Sequence, residues 1–379
     1  MSSQSAPVSR PSKTNPADRH ERRESVATAD VEKVPLTRRD GVSLRADVLD
    51  THLNGVDAVT TGEARTRWRT YVGESRDTGV VFEDVSGNRV TGSNPNRFHP
   101  DYTDQQYAKL KDLERGIRAE YGKRLHTAML TFTASSTDAQ GNPVPPVDHL
   151  DGPDGLLSSW SAVTRELRRL MDDLGLRYER LAILEPHKSG YIHIHMAVFV
   201  EGIIVPEMFE SVIDAHVRNC ERASEDAHDV SDDDTVSVKH VGADRSEDTI
   251  ANLGTYLTEY LAPYDEDGEK QDPIDADTHT QIANTVLWAT GKQRWRPSNG
   301  AQKYMSQNSN DEDSEWELVG IEDGDGEVHE LEPGESGGVE RGRTCTDSGG
   351  WDPPSRESWG GLSTDRGESL RVDPDREAW

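Results

Sequence analysis

Residues 178–200 read YERLAILEPHKSGYIHIHMAVFV, two apolar runs separated by a short polar turn. Each run is the length of a strand, and Lys188, Ser189 and Gly190 between them predict a three-residue hairpin loop with Gly190 in the left-handed position. That loop fixes the register. His187 then pairs with Tyr191, Glu185 with His193, and Ile183 with His195. Side chains alternate along a strand, so His193 and His195 share one face, while Ile192, Ile194 and Met196 share the other. Glu185 lies opposite His193 on the histidine face, with Cβ atoms roughly 5 Å apart. A slip of one residue would turn Glu185 to the opposite face.

The neighbouring segments extend the hairpin into a sheet. LHTAMLTFT (125–133) reads as a strand and residues 156–175 as an amphipathic helix ending at Gly175. Residues 206–223 read as a helix opened by Pro206, residues 235–241 as a strand, and residues 246–264 as a further helix. The order β-α-β-β-α-β predicts an α+β, ferredoxin-like split βαβ fold: an antiparallel sheet with helices on one face, followed by a Tyr-bearing helix. Tyr107, Leu110, Leu113 and Ile117 recur at helical spacing just upstream. The expected organisation is a disordered arm (1–40), a poorly defined region ending in that helix (41–120), a main folded domain with a basic C-terminal segment (121–305) and a mostly disordered acidic tail (306–379). Within the tail, EWELVGIEDGDGEVHEL has the pattern of a small hairpin.

Seventy-one acidic residues against 42 basic ones give a net charge of -29, and of the basic residues only 10 are Lys against 32 Arg. An acid-rich, Lys-poor surface suits concentrated salt, where a Debye length of roughly 3 Å screens most self-repulsion. Net acidity therefore does not exclude a nucleic-acid partner, and residues 121–200 are close to neutral. Two distant cysteines, Cys220 and Cys345, exclude a disulfide framework and a zinc ribbon. The N-terminus lacks the apolar core of a signal peptide, and no run approaches the roughly 20 apolar residues of a membrane span. A cytoplasmic protein without a membrane partner is expected.

Two imidazoles and a facing carboxylate leave coordination positions open, as a catalytic Mg²⁺ or Mn²⁺ requires. His187, one repeat nearer the turn, is a further candidate ligand. Tyr256 and Tyr260 are four residues apart in LGTYLTEYLAPY, so a helix projects both from one face. Packing is the ordinary use of such a pair. Beside a metal that polarises a phosphodiester, a phenol becomes a nucleophile. GKQRWRPSNGAQK (291–303) carries Lys292, Arg294, Arg296 and Lys303 without an acid. Trp295 among them could stack on an unpaired base or pack within the protein.

AMLTFT, EPHKSGYIHIH and YLTEYL, in that order, resemble the three motifs of HUH endonucleases, specifically the rolling-circle replication initiators (Rep proteins) of plasmids and small viruses. The resemblance spans residues 121–264. It implies His193, His195 and Glu185 as metal ligands, Tyr256 as nucleophile, and Tyr260 as the second tyrosine of two-tyrosine members. Glu259 stands where many members carry Lys. The implied activity is nicking of one DNA strand at a replication origin, with a 5′-phosphotyrosine link and a free 3′ hydroxyl, then rejoining. The implied DNA partner is single-stranded origin DNA with the nick site on a hairpin. No G-x-x-x-x-G-K-[ST] stretch occurs, so a host helicase and a host DNA polymerase are the implied partners. A DNA-binding copy-number regulator without activity, or a relaxase or transposase of the same superfamily, is the alternative. A histidine-triad hydrolase fits less well, because Tyr191 stands at the first histidine position.

Overall fold

The computed structural model describes residues 28–40, 42–45, 48, 59–93, 97–241, 272–305 and 316–330. Along the chain, α1 (Thr28–Val31) and α2 (Thr61–Arg76) precede β1 (Gly79–Asp84) and β2 (Arg89–Ser93). Next come α3 (Pro100–Tyr121), β3 (Leu125–Phe132), α4 (Pro146–Asp151) and α5 (Trp160–Leu174). The hairpin strands are β4 (Arg177–Pro186) and β5 (Ile192–Glu201), followed by α6 (Glu210–Asn219) and β6 (Val236–His240). After residue 271 the described elements are α7 (Thr278–Thr290), β7 (Trp295–Pro297), α8 (Asn299–Met305), β8 (Trp316–Glu322) and β9 (Val328–Glu330).

The hairpin forms in the expected register. Gly190 sits at φ +89°, its N–H donates to His187 O at 2.8 Å, and His187 N donates to Tyr191 O at 2.7 Å. Glu185 faces His193 and Ile183 faces His195. The five-stranded sheet runs β6-β3-β5-β4-β7, and every neighbouring pair is antiparallel. Its first four strands have the order of the split βαβ unit, with the two crossover helices α5 and α6 on one face. There Leu167, Met171, Phe209 and Val212 pack on Leu130, Ile194, Met196 and Val198. Gly175 ends α5 in the left-handed conformation at φ +64°, donating to Asp172 O while Leu176 N donates to Met171 O, as a Schellman cap requires.

The opposite face is covered as well. The stripe on α3 (Leu110, Leu113, Ile117) and Ala301 and Met305 of α8 pack on Leu181, Ile183, Ala197 and Phe199. The apolar residues of the 178–200 hairpin thus divide between two cores. The histidines lie on the second of these faces, beyond Ala197 along β5.

Three boundaries differ from the sequence reading. Residues 28–40 do not stand apart as an arm: Val31, Val34 and Leu36 are buried, and Leu36 N donates to Val59 O at 2.8 Å. Residues 61–76, within the region left undefined, form α2. Thr60 and Glu63 close a capping box at its start, and its buried stripe is Thr61, Ala64, Trp68, Tyr71, Val72 and Ser75. Small and polar residues dilute that stripe, which hides its period. The acidic stretch 316–330 is the expected hairpin, but β8 also pairs with β1 from Gly79↔Glu322 to Asp84↔Trp316. The result is a second antiparallel sheet, β2-β1-β8-β9, in which Val81 and Ile321 are buried.

A group of buried histidines lies where β3 ends. His216 Nε2 bonds Thr133 O at 2.9 Å and its Nδ1 meets Ser159 Oγ at 2.7 Å, so the hydroxyl donates to a neutral ring. His149 Nε2 donates to Ala134 O at 3.1 Å. Burial pulls the pKa of each of these two rings down to about 4.

Two expectations follow from this architecture. Deleting residues 311–379 removes β8 from the interior of the second sheet and exposes Val81. The truncated chain should lose about 2–4 kcal/mol, the worth of one or two buried aliphatic side chains, and circular dichroism melts in molar salt should show it. An unchanged melt would mean that β1 and β2 stand without their partners. The histidines give an acid limb. The unfolded rings titrate near 6.5 and the folded rings near 4, so their stabilisation is complete above about pH 6.5 and is lost as the pH falls toward 4. Denaturant midpoints that stay flat from pH 7 to pH 5 at constant salt would contradict this.

Candidate metal centre

The site is built on the two central hairpin strands. His193 Nε2 lies 2.8 Å from Glu185 Oε2, and His195 Nε2 bonds the same oxygen. The three ligand atoms lie within 4.8 Å of one another. The rings of His193 and His195 are 4.6 Å apart at 73°, so each edge is aimed inward without stacking. The side chains of Glu185 and His193 are each 19% exposed and that of His195 is 10% exposed, so the site is mostly buried yet in contact with solvent.

Electrostatics favour an ionised carboxylate at Glu185. Burial pushes the Glu185 pKa up, but hydrogen bonds and charge from His193 and His195 outweigh it and hold the group at about 2. Burial lowers the pKa of His195. Two imidazole nitrogens and one carboxylate oxygen form a donor set that suits a divalent ion with further positions left for water or substrate. Thr131, directly across β3 from His195, places Oγ1 3.2 Å from its Nδ1.

The other candidates fall in different places. His187 is beside the site, its ring 5.8 Å from that of His193, but its Nδ1 bonds Ser189 Oγ at 2.8 Å and it is not among the converging ligands. Tyr256 and Tyr260 lie outside the described residues. The basic segment folds as an edge strand followed by a short helix. Trp295 and Arg296 belong to β7 and pair with Ile183 and Ala182 at the sheet edge, and Trp295 packs into the core under α3 and α8. Arg294 is turned inward onto Asn284 Oδ1, where burial and the neighbouring Arg97 lower its pKa to about 10. Lys292 pairs with Asp151 at 3.0 Å, and Lys303 is exposed on α8. Arg294 and Trp295 are thus used within the protein. The run reads as basic because a short edge strand happens to be bordered by cations.

A second group that sequence reading missed is Asp323, Glu327 and His329 in the β8–β9 turn. Asp323 Oδ1 accepts from the Asp325 and Glu327 N–H groups and its Oδ2 meets His329 Nε2, contacts that close the turn.

Among the described residues no helix is long and apolar enough to cross a membrane. No solved structure gives a significant match to the chain. An "Uncharacterized 36 kDa protein" of Halobacterium salinarum is 44% identical over 310 residues, covering 79% of this chain and 95% of its own length. A protein of the same description from Halobacterium sp. (strain GN101) is 43% identical over 311 residues, covering 77% of this chain and 92% of its own. Both come from halophilic archaea, in keeping with the acid-rich, Lys-poor composition. The family model described as "Putative rep protein (DUF1424)" matches residues 36–349, which include both sheets and all three convergent ligands, and the chain belongs to that family.

Proposed function

We propose that the protein is a rolling-circle replication initiator that nicks one DNA strand at an origin through a metal-assisted tyrosine. One observation supports the reading: in a chain of the family described as "Putative rep protein", Glu185, His193 and His195 converge on one face of the sheet. A divalent Mg²⁺ or Mn²⁺ held there supplies positive charge to the scissile phosphate. Glu185 and the two rings bind and orient. The Tyr256 oxygen attacks phosphorus and loses its proton to solvent. The bond from phosphorus to the 3′ oxygen breaks, and that oxygen takes up a proton. The products are a 5′-phosphotyrosine and a free 3′ hydroxyl for synthesis. Tyr260, one helical turn further by sequence spacing, offers a second hydroxyl for the strand transfer that rejoins the ends. Single-stranded origin DNA is the substrate, and a host helicase and polymerase extend the round.

Incubation of the full chain with labelled single-stranded origin DNA and Mn²⁺ tests the reaction. A covalent adduct is expected in the wild type, absent in Tyr256→Phe and present in Tyr260→Phe, with the latter impaired in strand transfer. Phe keeps the ring, so loss reports the hydroxyl. Mass spectrometry decides the assignment: an adduct on Tyr260 alone reverses the roles, and an adduct on neither sinks the mechanism. His193→Ala, His195→Ala and Glu185→Ala should each weaken Mn²⁺ binding by more than about tenfold, with the circular dichroism spectrum preserved. Calorimetry that gives wild-type Mn²⁺ affinity in all three would remove the metal site, and a larger effect from His187→Ala would relocate it.

A further inference from the structure

His195 has two ring nitrogens, and the structure gives each a partner. Nε2 meets the Glu185 carboxylate and Nδ1 meets the Thr131 hydroxyl at 3.2 Å. Thr131 is not a chance neighbour. It is the residue paired with His195 across the β3–β5 ladder, and its own N–H is held by Thr235 O at 3.0 Å, so its backbone is fixed from both sides. Thr131 and His195 point to the same face, which places the hydroxyl beside the ring without any loop to position it.

An ionised carboxylate only accepts hydrogen bonds, so a neutral His195 facing Glu185 carries its proton on Nε2 and accepts from Thr131 through Nδ1. A ring that ligates a cation through Nε2 needs the opposite arrangement, with Nε2 bare and the proton on Nδ1. The exchange balances: the Nε2 proton leaves to solvent and one proton from solvent arrives at Nδ1. A hydroxyl serves both arrangements because it donates in the first and accepts in the second, by rotation about one bond. A carboxylate or a carbonyl at position 131 would serve only the second, and a methyl neither.

We propose that Thr131 is the positioning residue of the metal centre, holding the His195 ring through Nδ1 and accommodating both tautomers so that Nε2 is free to bind a cation. The inference rests on the metal-centre reading above. It also gives the strand AMLTFT a chemical task, since Thr131, the first of its two threonines, stands behind a ligand.

Calorimetry of the full chain with Mn²⁺ separates the two ideas. Thr131→Val keeps the β-branched shape suited to a strand and removes only the hydroxyl. It should lower Mn²⁺ affinity about 10- to 100-fold, as loss of such a supporting bond does elsewhere, and Thr131→Ser should restore most of it. Wild-type affinity in Thr131→Val, with the wild type binding normally, overturns the role of Thr131 and leaves the metal centre standing. A wild type that binds no Mn²⁺ overturns both. A second measurement needs no variant. Nitrogen-15 NMR of histidine-labelled wild type, with Zn²⁺ as a diamagnetic probe, should show the His195 proton on Nε2 before addition and on Nδ1 after it. A proton that stays on Nε2 with Zn²⁺ present overturns the proposal, whatever happens to the variants.

Discussion

The three-residue turn at 188–190 sets everything downstream of it. Gly190 at φ +89° lets the chain reverse with one residue in the left-handed region, and a Cβ there would also come within 3.1–3.2 Å of the Ile282 side chain. With the turn fixed, each residue of β4 has one partner in β5, and the period of two does the rest. Ile192, Ile194, Met196 and Val198 enter the core beneath α5 and α6, whereas Ala197 and Phe199 enter the core beneath α3 and α8. The two histidines are left on the second face, opposite Glu185. A turn one residue longer or shorter would turn Glu185 away from the histidines and in among aliphatic side chains.

Both faces of the hairpin are apolar over most of their length, so its strands read as nearly continuous hydrophobic runs. Polar side chains in such a setting are costly unless satisfied. Glu185 meets this condition with hydrogen bonds from two imidazoles, and His195 meets it with Glu185 on one side and Thr131 on the other. The arrangement resists collapse because the rings are held by strands and not by loops. It remains polar enough that a divalent cation could replace ring protons without leaving a donor unpaired.

Much of this was legible in the sequence because it depends on short-range rules. A glycine after two polar residues between alternating strands specifies a register, and the register specifies which side chains converge. The α3 stripe and the Gly175 cap follow from equally local patterns. What was not legible depends on pairing between distant segments. Trp295 and Arg296 look like a basic loop until Ile183 and Ala182 are found beside them, over a hundred residues away. Glu317–Glu322 look like one arm of an isolated hairpin until Gly79–Glu83 supply a further partner strand. The helix at 61–76 was hidden differently: its capping box TTGE is plain at 60–63, yet Thr61, Ala64 and Ser75 on the buried side carry too little apolar area to show a period.

The charge distribution bears on how DNA would be held. Several exposed arginines are occupied by neighbouring acids: Arg177 by Glu120 and Glu201, Arg124 by Glu201, and Arg169 by Glu166 and Asp173. Such pairs contribute little to stability, and in molar salt even less, but they remove cations from a phosphate-binding surface. An acidic chain in that solvent gains almost nothing from long-range attraction to DNA, because counterion release weakens as salt rises. Recognition would then depend on contacts at van der Waals range. A metal ion seated between Glu185, His193 and His195 would act at that range, since an ion that touches a phosphate oxygen is not screened from it. On the proposed reading, the centre that activates the phosphate is also a principal means of holding it.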